Sequence, residues 1–209
     1  MPITLAQVEE ARNNIATIAV RTPLVLCNTD APGHLYLKLE NLQPIGSFKI
    51  RGAANVMART PRQQLQRGVL TASAGNMAQG VAFCARRMGI PATIVAPETA
   101  PATKIRAVER MGGRVIKVPF AEWWQTFGTR SYPGVDAKFI HAFDDPDVMA
   151  GNGTIALELL EDLPDLDVVV IPWGGGACRV ASRRCCVSAL HECVSTPSKL
   201  RQQRHWLLR

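Results

Sequence analysis

The chain has 209 residues, 47% hydrophobic and 20% charged, which suits one substantial globular domain or two small ones. No run of ~18 apolar residues occurs, so no membrane-spanning helix is expected, and the stretch from Met1 to Ala16, with Glu9 and Glu10 early and no apolar centre, reads as a helix rather than a signal peptide. The net charge of +7 does not mark a nucleic-acid surface, because +6 of it lies in residues 177–209 and only +1 in residues 1–176.

In chain order, residues 5–19 predict an amphipathic helix, with Leu5, Val8, Ala11, Ile15 and Ile18 at three- and four-residue spacing and Thr22-Pro23 as its break. His34 to Glu40 alternates like a strand, and Gln43-Pro44-Ile45-Gly46 is a turn. Ser47 reads as the N-cap of a helix that continues through Ala53, Ala54, Val56 and Met57. Val69 to Ala72 is a short buried strand running into Ser73-Ala74-Gly75-Asn76 and an Ala-rich helix that Gly89 ends. Ala92 to Ala96 is a strand, Ala102 to Met111 a helix stopped by Gly112-Gly113, and Arg114 to Val118 a strand. This alternation has the spacing of a parallel α/β sheet. Residues 120–146 read as irregular; Trp123 and Trp124 there are either a bulky wall or packing. Thr154 to Leu163 is a helix, and Asp167 to Pro172 a fully buried strand that meets Trp173-Gly174-Gly175-Gly176.

Three segments can carry chemistry. Lys49 stands near the start of a helix, where the positive end of the dipole disfavours a charged amine and favours one able to form a Schiff base. Ser73 to Asn76 leads from a strand into a helix N-terminus, which presents backbone N–H groups to an anion such as a carboxylate; a purely structural turn has the same residues. Gly174-Gly175-Gly176 can curl around a phosphate or form only a loop. Cys27 and Cys84 are scattered, no Cys/His spacing suits zinc, and no metal site is expected. The thiols read as reduced and the chain as cytoplasmic.

Taken together, these segments define a resemblance. LKLENLQPIGSFKIRGA, SAGNMAQGVAFCARRMGIPATIVAPETAPATKIRAVERMGGRVI and FDDPDVMAGNGTIALELLEDLPDLDVVVIPWGGG are similar, in order and at family spacing from about residue 4 to 176, to the threonine/serine dehydratases and serine racemases, the fold-type-II pyridoxal-phosphate enzymes. The resemblance implies that Lys49 holds pyridoxal 5'-phosphate and removes the substrate α-proton. Phe48 would pack on the cofactor ring and Asn76 would hydrogen-bond its hydroxyl oxygen. Ser73, Ala74, Gly75 and Asn76 would hold the substrate carboxylate, and Gly174, Gly175 and Gly176 the phosphate. Met77 stands where many relatives carry His. Ala74 stands where serine racemases carry a second Ser, which favours elimination over racemisation because the hydroxyl donor on that side is missing. The alternatives are a racemase or substituted-serine lyase on the same frame, or a non-catalytic remnant.

Beyond Gly176 the family pattern stops. GGGACRVASRRCCVSALHECV brings Cys178, Cys185, Cys186 and Cys193 and an Arg excess, with no apolar periodicity. Permitted codons from Ala177 onward, with one G restored before them, read GLPGGVASVL and then VRVYAVEAE, the phosphate loop and next strand of the family. Residues 177–209 therefore read as an out-of-frame tail, expected to be poorly ordered, leaving exposed edges and apolar faces, low solubility and little activity. The expected fold is α/β in two lobes with open parallel sheets. A smaller lobe spans residues 51–146, and a larger, incomplete cofactor-binding lobe combines residues 1–50 and 147–176. The expected partner is a small amino-acid substrate, with no nucleic acid and no membrane; intact family members are expected to be homo-oligomers.

Overall fold

The computed structural model describes residues 3–30, 33–173 and 192–197. Helix α1 (Leu5–Ile15) opens with a reciprocal cap. Thr4 Oγ1 accepts from the Gln7 N–H at 3.3 Å, and Gln7 Oε1 accepts from the Thr4 N–H at 2.8 Å. The helix ends at Ile15 and not Ala19. Strands β1 (Leu24–Leu26) and β2 (Tyr36–Lys38) form an antiparallel pair with Leu24 opposite Lys38.

Helix α2 (Lys49–Arg59) is buried from Ile50 through Met57. Its N-cap is Phe48, one residue later than the sequence suggests, yet the Ser47 hydroxyl still serves the helix end by accepting from the Lys49 N–H at 3.3 Å. Helix α3 (Arg62–Leu65) is a single turn. The expected alternation follows: β3 (Val69–Ala72), α4 (Asn76–Met88), β4 (Ala92–Pro97), α5 (Ala102–Arg110) and β5 (Arg114–Val118). Gly89 ends α4 in the left-handed region at φ +68°, a conformation that suits a residue without Cβ.

Residues 120–146 are not irregular. They contain α6 (Phe120–Thr129) and β6 (Lys138–Phe139). The aromatic run Phe120-Ala121-Glu122-Trp123-Trp124 has modest helix propensity, and packing of Trp123 on Leu70, Val95 and Val118 overrides it. β6 completes a four-stranded parallel sheet in the order β5-β4-β3-β6, with Val69 opposite both Ala92 and Lys138. Both faces are covered: Val69 and Ile94 join one apolar cluster with Ala53, Met57 and Val81, whereas Leu70 and Val95 join another on the opposite face.

Helix α7 (Pro146–Asp162) begins eight residues earlier than its periodicity suggests. Asp145 caps it by accepting from the Asp147 and Val148 N–H groups, and Pro146 occupies the first turn. Gly151-Asn152-Gly153, ahead of the expected start at Thr154, lies inside the helix. A Cβ on Gly151 would collide with the Arg51 carbonyl oxygen, so the glycine lets α7 press against α2. Strand β7 (Val168–Trp173) pairs in parallel with β8 (Glu192–Pro197). One expectation changes here. β7 is not fully buried: Val168 is 41% and Val170 49% exposed, while Ile171 is 7% exposed, because only one of its faces is packed. Residues 192–197, within the segment expected to lack order, pair with the edge of β7 as β8. The remainder of that tail, and the Gly174–Gly176 loop, lie outside the described residues. No helix among the described residues is long and apolar enough to cross a membrane.

Candidate active site

Lys49 is the first residue of α2 and half-buried. Its Nζ donates to the Ala142 carbonyl at 2.8 Å and stands 5.3 Å from the centre of the Phe48 ring. The amine is thus aimed by a backbone oxygen that lies 93 residues further along the chain.

That oxygen belongs to a segment the sequence reading passed over. Beyond β6, the Ile140 N–H donates to the Leu70 carbonyl at 2.8 Å, and the Thr71 hydroxyl donates to the Ile140 carbonyl at 2.8 Å. Residues 141–143 therefore emerge beside the carboxyl end of β3. Ser73 to Asn76 emerge at the same end, held by the Ser73 N–H donating to the Val95 carbonyl at 3.1 Å. Open α/β sheets bind ligands at this edge. Within the loop, the Gly75 N–H donates to Ser73 Oγ at 3.2 Å. Gly75 is the N-cap of α4 and has no side chain to satisfy the first-turn N–H groups. A Cβ placed on it would meet nothing within 4 Å, so the space before the turn is open. Asn76 is exposed at the first helical position, while Ser73 and Ala74 are half-buried. The same helix backs onto the lysine: a Cβ on Gly80 would lie 3.3 Å from the Lys49 carbonyl oxygen.

Two residues after Lys49, Arg51 is 1% exposed and fully engaged. Its Nε and Nη2 donate to Glu40 at 2.9 and 2.8 Å, and its Nη1 and Nη2 to Glu158 at 2.6 and 2.9 Å. Nη1 also reaches Thr154 Oγ1 at 3.0 Å. Burial pulls the Arg51 pKa down, but hydrogen bonds to Glu40 and Glu158 outweigh it and leave the pKa raised, so the side chain stays charged. Lys38 Nζ joins at 2.7 Å from Glu158 and 2.6 Å from the Thr22 carbonyl. One network thus ties β2, α2 and α7 at the end of α2 that carries Lys49. Only the pairing of distant charges could have revealed it in sequence.

The expected site residues therefore divide. Lys49, Phe48 and the Ser73–Asn76 loop lie on elements that meet at one edge of the sheet. Gly174, Gly175 and Gly176 lie outside the described residues. The arrangement suits an aldehyde cofactor: a half-buried, directed amine and an uncapped helix start facing open space are what its carbonyl end and a carboxylate substrate need.

A parallel sheet with a directed lysine and an anion-ready loop at its carboxyl edge defines the fold-type-II class of vitamin-B6 enzymes, and solved structures similar in shape are of that class. The chain belongs to the family described as pyridoxal-phosphate dependent enzyme, which matches residues 15–181. It is 47% identical over 179 residues to L-threonine ammonia-lyase of Thermotoga maritima, covering 83% of this chain and 44% of that protein. Serine racemase from Dictyostelium discoideum superposes with a TM-score of 0.86 at 32% identity, covering 93% of this chain and 66% of that one. The processed form of threonine deaminase isoform 2 from Solanum lycopersicum gives a TM-score of 0.81 at 33% identity, covering 94% and 58%. The chain spans about half the length of the curated relatives it matches.

Proposed function

We propose that this chain carries the lysine-bearing part of a pyridoxal-phosphate-dependent ammonia-lyase, which converts a small β-hydroxy amino acid such as L-threonine or L-serine to a 2-oxo acid and ammonia. The observation that carries the reading is the Lys49 amine, held 2.8 Å from the Ala142 carbonyl at the carboxyl edge of a parallel sheet.

Lys49 Nζ would attach the cofactor and later take the substrate α-proton. Pyridoxal phosphate, when bound, supplies the electron sink that makes loss of that proton tolerable. Phe48 would pack on the ring and Asn76 would hydrogen-bond the ring hydroxyl oxygen. Ser73, Ala74, Gly75 and Asn76 would orient the substrate carboxylate through backbone N–H groups, and Gly174, Gly175 and Gly176 would take the phosphate. Departure of the β-hydroxyl with a proton, as water, leaves an enamine that hydrolyses to the 2-oxo acid and ammonia. Ala74 has no hydroxyl to return a proton, so elimination is favoured over the racemisation named for the Dictyostelium protein.

The cofactor would lie between a smaller lobe of residues 51–146 and a larger one built from 1–50 and 147–176. Residues 177–209 depart from the family pattern, so in this reading the 209-residue chain turns over weakly or not at all. The intact enzyme is a cytoplasmic homo-oligomer in this reading.

The test is covalent capture. The chain is incubated with pyridoxal phosphate, reduced with borohydride and mapped by peptide mass spectrometry. The adduct is expected on Lys49 and is lost in Lys49→Ala. An adduct spread evenly over surface lysines, or unchanged in Lys49→Ala, overturns the reading.

A further inference from the structure

His141 is 5% exposed and touches no charged side chain through a hydrogen bond among the described residues, yet it is tightly engaged. Its Nδ1 accepts from the Asp144 N–H at 2.7 Å and from the Phe143 N–H at 3.3 Å. A nitrogen that accepts cannot carry a proton, so the neutral ring holds its proton on Nε2. Its ring centre lies 4.4 Å from that of Phe127 and 4.7 Å, edge-on, from that of Phe143. The two accepted bonds fold residues 141–144 into a tight turn. Inside that turn, Ala142 presents the carbonyl that receives Lys49 Nζ at 2.8 Å.

We propose that His141 is a positioning residue for the Lys49 amine: its Nδ1 shapes the turn whose Ala142 carbonyl aims Nζ. The proposal rests on the reading of Lys49 as the reactive amine, and it concerns where that amine is held before any cofactor arrives.

A pH dependence follows. Protonation would turn Nδ1 from an acceptor into a donor facing two donors. Burial opposes that protonation and pushes the His141 pKa below its usual value; Arg130 and Lys49 add to the effect, while Asp144 and Asp145 oppose it. A histidine whose folded pKa is lowered contributes its full stability above the unfolded value. That contribution is lost as pH falls from the unfolded value through the folded one. The turn, and with it the aim of Nζ, therefore loosens on the acid side.

The test labels amines with formaldehyde and cyanoborohydride on the 209-residue chain without cofactor and reads Lys49 against the exposed Lys104 by mass spectrometry. His141→Phe keeps an aromatic ring and removes the acceptor; the Lys49/Lys104 labelling ratio is expected to rise about fivefold, the scale of one lost hydrogen bond. His141→Asn places an acceptor oxygen where Nδ1 stood, and the ratio is expected to stay near wild type. Between about pH 8 and 5 the wild-type ratio is expected to rise toward acid, and the His141→Asn ratio to remain flat, since the amide does not titrate. Should His141→Phe fail to fold, the comparison of wild type with His141→Asn across pH decides. A flat wild-type ratio, or equal acid rises in wild type and His141→Asn, overturns the proposal. Because borohydride capture of pyridoxal phosphate is scored on separate samples, failure of the cofactor reading is distinguishable from failure of this one.

Discussion

The sheet β5-β4-β3-β6 and the pair β7-β8 are both parallel, and both have strands rich in Val and Ile, yet they treat those side chains differently. In β3 all four residues are buried, and in β4 Ile94 and Val95 are fully buried. In β7, Val168 and Val170 face solvent at 41% and 49% exposure. The β1–β2 hairpin behaves like β7, with Val25 at 42%, Leu26 at 53% and Leu37 at 49%. The difference is cover. Side chains of α2 and α4 pack on one face of the four-stranded sheet and those of α6 on the other, whereas β7 and the hairpin have a bare face among the described residues. Strand composition fixes a tendency to be buried; only a second layer fulfils it.

The largest effect is expected where the covering helices are locked together. Arg51→Ala would leave the carboxylates of Glu40 and Glu158, 14% and 7% exposed, without their shared cation; removing one partner of a buried pair costs ~3–5 kcal/mol. Urea unfolding should show that loss, and a loss under 1 kcal/mol would mean the network does not hold α2 against α7. Gly151→Ala comes next. Its Cβ would collide with the Arg51 carbonyl oxygen, and overpacking of this kind costs ~1–3 kcal/mol. An unchanged midpoint would show that the two helices are free to move apart. The finest test sets the two parallel regions side by side. Val95→Thr places a hydroxyl in a fully buried position and should cost ~1–3 kcal/mol. Val170→Thr, the same change on the bare face, should stay within ~0.5 kcal/mol. Equal losses at the two positions would mean that β7 is covered after all.

Legibility in the sequence followed the range of the determining contacts. From Val69 to Val118 the elements were readable because each is bounded by its own stop signals and buried in the period of its own type. Helix α6 and the first half of α7 were not. The aromatics of α6 are held by the sheet beneath them, and the glycines of α7 are required by the backbone of α2 rather than by any turn. Lys49, Phe48 and Ser73 to Asn76 stood out because they lie in short recognisable segments. Arg51 and His141 did not, because nothing local separates a buried guanidinium from a solvated one, or a turn-shaping imidazole from any other.

Local order alone sufficed for the alternation of strands and helices and for singling out Lys49 and the Ser73–Asn76 loop as candidates, since each depends on neighbours a few residues away. The aim of that amine did not reside in any segment. It arises where Ala142, 93 residues downstream, is brought beside α2 by the pairing of β6 with β3, and a hydrogen bond across that span exists only once the sheet has closed.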